Sequence, residues 1–185
     1  MRYLYDNFLG AQTFHELQEY VMSENFPWYY QNGKVMANPE NEEDFRFGHL
    51  VYHPCNGIVT NLGYDLYNLI APIINTCDAG AVTRVKLNSD IRSEEPYYSD
   101  FHTDNNWSES ENAWTGIFYL NNNNGYTEFE TGYTIASEEN RLLLFRSHLK
   151  HRGVSQTDTS RRIVLNINML LTEAVSYTHL RAHET

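Results

Sequence analysis

The chain has little basic charge, little cysteine and no long apolar run, and each shortage closes off a class of function. Thirteen Lys and Arg stand against 24 Asp and Glu, a formal net charge of −11 over 185 residues. Affinity for a phosphate backbone comes from counterion release by basic side chains. The sequence shows no run of them, so nucleic acid is not an expected partner. The only cysteines, Cys55 and Cys77, fit no metal-ligand spacing and suit a reducing compartment better than a disulfide framework. No stretch reaches the roughly 20 apolar residues of a membrane span. The start, Met1-Arg-Tyr-Leu-Tyr-Asp6, lacks the apolar core of a signal peptide. A soluble, cytoplasmic protein with no membrane association is expected, and the sequence carries no signal for oligomeric state.

Residues 175–185 resemble a translated sequencing-adapter read-through, and such scars are kept out of fold reasoning. His179 and His183 are therefore set aside as ligands. The tail holds one Arg and one Glu, so the net charge is the same without it. Residues 1–174 are expected to form one domain, long enough to bury a core.

Hydrophobic periodicity divides this domain. Residues 12–23 place Phe14, Leu17, Val21 and Tyr20 on one face of a helix. Residues 26–30 read as an aromatic extended segment, 38–44 as a polar loop and 45–53 as a strand. Leu62, Leu66, Leu69, Ile70 and Ile73 recur at helical spacing over residues 62–77, where Pro72 predicts a kink or a restart. After Gly80 the pattern becomes strands over 81–88, 115–120, 126–129, 141–145 and 162–169, separated by Asn/Gly/Ser/Asp-rich turns. Two helices followed by short strands predict an α+β domain, its sheet doubled into a jelly roll with the N-terminal helices on it.

Chemistry enters with His102-Thr-Asp104. On a strand both side chains would project to one face, about 7 Å apart. His151, from a distant strand, would complete two imidazoles and one carboxylate, a set that holds one face of a six-coordinate ferrous ion and leaves positions open. His-x-Asp alone is a weak signal, and His148 competes with His151. His49, His53 and His15 read as packing or surface residues. Tyr97 and Tyr98 could form a lid or an ordinary aromatic loop.

The ordered set His102-x-Asp104, Tyr119-Leu-Asn121, Gly125-x-Thr127-x-Phe129, Arg141-Leu-Leu-Leu-Phe145, His151-Arg-Gly153 and Arg162-Ile-Val164 resembles the prolyl 4-hydroxylase-like branch of the iron(II)/2-oxoglutarate-dependent dioxygenases. Small phage-encoded and marine bacterial members look especially close. The likeness spans about residues 80–170 and implies a double-stranded β-helix. It implies His102, Asp104 and His151 as Fe(II) ligands, favouring His151 over His148. It also implies a basic residue about ten positions later for the far carboxylate of 2-oxoglutarate, Tyr119 as a second contact to that carboxylate, and ascorbate as an accessory reductant. The implied activity is hydroxylation of an unactivated C–H bond with release of succinate and carbon dioxide. Asp104 argues against halogenation, since the family's halogenases have a small residue there.

Arg161 and Arg162 face opposite ways on a strand, so only one can enter the pocket. The family's Arg-x-small-x-polar pattern fits Arg162-Ile163-Val164-Leu165-Asn166. Val164 and Asn166 would then line the cavity, while Ile163, Leu165 and Ile167 pack on the outer layer. A bidentate guanidinium–carboxylate pair would select a dicarboxylate. The implied substrate is a peptide, with a peptidyl proline the leading expectation, or a small molecule. Residues 89–101 and 105–113 would do the choosing. Two other readings stay open: a non-catalytic jelly-roll binding or structural module, and a zinc hydrolase on the same triad.

Overall fold

The computed structural model describes residues 1–34, 44–59, 62–104 and 110–172. The expected non-native tail, most of the 38–44 loop and residues 105–109 lie outside them. Eleven strands and two helices are present among the described residues. They are β1 (Arg2–Tyr5), α1 (Ala11–Met22), β2 (Tyr29–Asn32), β3 (Phe45–His53), β4 (Gly57–Ile58), α2 (Gly63–Thr76), β5 (Ala79–Ile91), β6 (Ala113–Tyr119), β7 (Asn123–Phe129), β8 (Thr134–Ser137), β9 (Arg141–Arg146), β10 (His151–Val154) and β11 (Arg161–Leu171). The large sheet runs β1-β9-β6-β11-β5-β3-β2, with β4 beside β3; the small sheet runs β10-β7-β8. All pairings are antiparallel.

Strand parity builds two apolar layers on opposite faces of the large sheet. Val85 and Leu87 of β5, Trp114 and Phe118 of β6, Leu142 and Leu144 of β9, and Ile163, Leu165 and Ile167 of β11 face one way. They pack with Phe14, Leu17 and Val21 of α1 and Leu66, Ile70 and Ile73 of α2. The alternate residues Ile117, Tyr119, Leu143, Phe145 and Val164 meet Phe129 and Ile135 of the small sheet. This double burial explains the unbroken apolar run Leu142-Leu-Leu-Phe145, whose residues are buried on both faces.

The structure revises the expected architecture in three respects. Strands dominate: α1 leads into β2 and β3 at one edge of the large sheet, and α2 lies between β4 and the interior strand β5. The N-terminal segment itself begins as a strand, with Arg2–Tyr5 paired to residues 142–145 of β9. Helix α2 continues through Pro72 as one element. The carbonyl of Pro72 accepts a hydrogen bond from the Thr76 hydroxyl at 2.8 Å.

No helix among the described residues is long and apolar enough to cross a membrane. Cys55 is exposed and Cys77 buried, and neither is in a disulfide.

Candidate metal and anion-binding cavity

Two strands and one short bridge bring the histidines together. His151 opens β10, paired with Phe129 of β7. His102 is not on a regular strand, contrary to expectation. It forms one isolated antiparallel bridge with His151, and each backbone N–H donates to the other residue's carbonyl at 3.0 Å. That single rung sets the two rings 4.7 Å apart between centroids. Asp104 then lies against both, with Oδ1 3.6 Å from His102 Nε2 and Oδ2 3.5 Å from His151 Nε2. The three side chains offer ligand atoms all within 4.8 Å of one another. Phe129 and Phe145 wall the His151 ring.

The tautomers follow from the hydrogen bonds. His102 Nδ1 lies 3.0 Å from the carbonyl of Asp100, and His151 Nδ1 lies 3.2 Å from that of Leu149. A carbonyl only accepts, so each Nδ1 carries a proton; Nε2 then faces Asp104, donating to it when the ring is charged and holding a free lone pair when the ring is neutral. Asp104 is in turn held by Asn166 Nδ2 at 2.6 Å and Arg84 Nη2 at 3.3 Å. Carboxylate oxygens have lone pairs to spare for such contacts and a metal together. Burial alone would raise the Asp104 carboxyl, but His151, the hydrogen bonds from both histidines and Arg84 hold it well below the usual carboxylate range. Burial pulls His151 down, yet the neighbouring Asp104 charge outweighs it and raises the imidazole.

These groups open onto a cavity of about 400 Å³ between the two sheets. Arg162 reaches it from β11 and is buried. Its Nε donates to Ser137 Oγ at 2.8 Å, Nη2 donates to Thr127 Oγ1 at 3.3 Å, and Nη1 lies 3.6 Å from Asp90. Val164 and Asn166 line the same space. Arg161 turns the other way and donates to the carbonyl of Met22. Tyr119 is fully buried and is not a lining residue. Its hydroxyl donates to Thr127 Oγ1 at 2.8 Å, and its ring lies 5.7 Å below the Arg162 guanidinium. Thr127 Oγ1 therefore accepts from both, and its own proton is free for the cavity it lines.

His148 is exposed and outside the triad. His49 is a packing residue, as expected: its Nδ1 meets the Pro27 carbonyl at 2.8 Å, and burial lowers its pKa. Tyr97 and Tyr98 do not line this cavity. The Tyr97 ring takes the Lys34 ammonium 3.8 Å above it.

Several contributors have roles that the sequence motifs leave unassigned. Gly125 leaves the space Arg162 fills, since a Cβ there would come within 2.8 Å of Arg162 Cδ and 2.9 Å of the Val154 carbonyl. Asp90 is buried between Arg46, at 3.2 Å, and Arg162. Burial would raise its carboxyl, but Arg46, Lys34 and Arg162 together lower it. Lys34, Arg46, Arg84 and Lys86 also line the cavity. A strand that alternates Arg84-x-Lys86-x-Asn88-x-Asp90 with Val85, Leu87 and Ser89 signals a polar face, and that pattern was available.

No protein-family model matches the chain, and no curated protein sequence matches it. Solved structures do. The non-heme α-ketoglutarate-dependent epimerase SnoN from nogalamycin biosynthesis is similar at a TM-score of 0.62 and 10% identity, covering 92% of this chain and 78% of that one. A Trichoplax adhaerens prolyl hydroxylase, solved with a hypoxia inducible factor oxygen degradation domain peptide, is similar at 0.58 and 15%, covering 100% and 87%. A Pseudomonas putida prolyl-4-hydroxylase is similar at 0.54 and 13%, covering 93% of each. The fold is the one these enzymes share.

Proposed function

We propose that the protein is an Fe(II)- and 2-oxoglutarate-dependent dioxygenase on a double-stranded β-helix, hydroxylating an unactivated C–H bond. One observation carries this reading: two histidine Nε2 lone pairs and a buried carboxylate converge within 4.8 Å on the cavity that a buried arginine also enters. The donor set suits a ferrous ion, with two neutral imidazoles, one carboxylate and an open side. His102, Asp104 and His151 would hold it. The bound metal and co-substrate supply oxidative chemistry that the side chains cannot.

The protein's own residues do the rest. Two backbone carbonyls fix the imidazole tautomers, while Asn166 and Arg84 fix the Asp104 carboxylate. Arg162 offers a rigid fork to the far carboxylate of 2-oxoglutarate, seated by Ser137, Thr127 and Gly125. Tyr119 acts from beneath, orienting Thr127 toward that carboxylate. Phe129, Phe145 and Val164 keep water from the buried wall of the site. The likeness to prolyl hydroxylases makes a peptidyl proline the leading substrate to test.

The test is anaerobic binding of Fe(II) and 2-oxoglutarate, followed by oxygen and detection of succinate. Binding with slow uncoupled succinate release is expected. His102→Ala with His151→Ala should abolish both; turnover in that double variant would overturn the ligand assignment. Folded protein that binds no metal would instead support a non-catalytic jelly roll, and hydrolysis with zinc in the absence of oxygen would support a hydrolase.

A further inference from the structure

The cavity gathers charge against the sign of the molecule. Five of the chain's 13 Lys and Arg line it, namely Lys34, Arg46, Arg84, Lys86 and Arg162. Two buried carboxylates answer them: Asp90 pairs with Arg46 and Arg162, and Asp104 pairs with Arg84. The ammonium groups of Lys34 and Lys86 have no carboxylate within ion-pair distance among the described residues. Lys34 caps the Tyr97 ring instead. Arg84 Nε is buried without an acceptor.

A divalent ion and a dicarboxylate co-substrate cancel each other's charge, so filling the site as proposed leaves the cationic excess in place. Lys34 and Lys86 are half-buried, so each loses part of its hydration without gaining a carboxylate partner, and an anionic ligand would complete the pairing. Lys86 stands opposite Asn166 in the β5–β11 register, and Asn166 bonds Asp104. Lys86 therefore places uncommitted charge beside Asn166 and Asp104, on the Arg84 side, while Lys34 lies over Tyr97.

We infer that the substrate carries a carboxylate or phosphate group that Lys86 binds beside the reacting centre, on the Arg84 side of the cavity. This rests on the dioxygenase reading and narrows its substrate class to anions. The group belongs to a small molecule or to an acidic side chain of a peptide; a neutral proline-containing peptide does not satisfy the site.

The test uses the full chain loaded with Mn(II) and 2-oxoglutarate under argon, titrated calorimetrically with inorganic phosphate, with acetate, and with two proline-containing peptides flanked by Glu or by Gln. Phosphate or acetate is expected to bind saturably, or the Glu peptide at least tenfold more tightly than the Gln peptide. Lys86→Gln should weaken that binding tenfold or more, Lys86→Arg should restore it, and affinity for 2-oxoglutarate should stay within twofold. Response to phosphate and acetate alone assigns a small-molecule substrate; response to the Glu peptide assigns an acidic peptide. Equal binding of the two peptides with none of phosphate or acetate overturns the inference. So does a Lys86→Gln variant that loses 2-oxoglutarate to the same degree.

A second measurement needs no variant. Phosphate should slow acetylation of Lys86 in the wild-type chain, mapped by mass spectrometry, and an unchanged rate overturns the inference. If the wild type binds no 2-oxoglutarate, the dioxygenase reading fails by itself. Phosphate protection of Lys86 in the metal-free chain then decides whether the anion site stands.

Discussion

At the scale of single residues, the cavity separates two adjacent arginines by parity alone. Arg162 is buried on Ser137, Thr127 and Asp90, and Arg161 is bonded to the Met22 carbonyl. A charge-assisted bidentate pair contributes about 2–3 kcal/mol. Arg162→Ala should therefore raise the 2-oxoglutarate requirement about 30- to 150-fold in a succinate-release assay, with Arg161→Ala near wild type. The reverse order would mean that the register of β11 is misread. Lys86 gives a pH signature. Burial, with Arg46 and Arg84 nearby, lowers its ammonium from 10.5 to about 8. Between about 8 and 10.5 the unfolded chain binds more protons than the folded one, so this group makes stability rise with pH across that window. Below it, the folded protein carries the cost of the partly desolvated charge. Lys86→Met should thus raise the Tm of the ligand-free protein by a few degrees at pH 7, with the gain fading toward pH 10.5. Destabilisation by Lys86→Met at pH 7 would contradict this account.

At the scale of elements, legibility followed burial and length. The runs on β6, β9 and β11 and the stripe on α1 announce themselves because their apolar residues repeat over several positions and reach the core. Strand β3 was readable to its ends, Phe45–His53. Strands β1, β8 and β10 span four residues each, too few for alternation to stand out from loop sequence. His102 lies on no strand at all, and the rung that aligns it with His151 is a property of the folded pair. The cation cluster was hidden for a similar reason. Lys34, Arg46 on β3, Arg84 and Lys86 on β5 and Arg162 on β11 are dispersed in sequence and meet only through strand pairing. Element geometry also gives Gly125 a purpose on β7. Gly125→Ala should push Arg162 from its seat, because the Val154 carbonyl behind the new methyl cannot yield. The expected result is a raised 2-oxoglutarate requirement with metal affinity unchanged, read by Mn(II) binding beside succinate release. Equal loss of both would point to a general disruption of the small sheet.

At the scale of the whole molecule, the order in which the chain is made differs from the order in which its sheet can close. Residues 2–5 leave the ribosome well before their partners, residues 142–145. The Asp6 carboxylate meets Arg141 at the same end, and Asn140 exchanges hydrogen bonds with the backbone of Leu9. Deleting residues 1–6 should leave β9 as an unpaired edge and lower the Tm, with aggregation that rises with concentration; a truncated protein with wild-type melting would show that β1 is dispensable. Pairings this distant slow folding, because the loop entropy is lost before any contact is gained. For over a hundred residues of synthesis, the strand that borders the large sheet has nothing to lie against. The histidine that joins His102 arrives later still, from β10. The proposed metal-binding set is therefore incomplete until β10 has been made and paired with His102, so iron loading would follow folding rather than guide it.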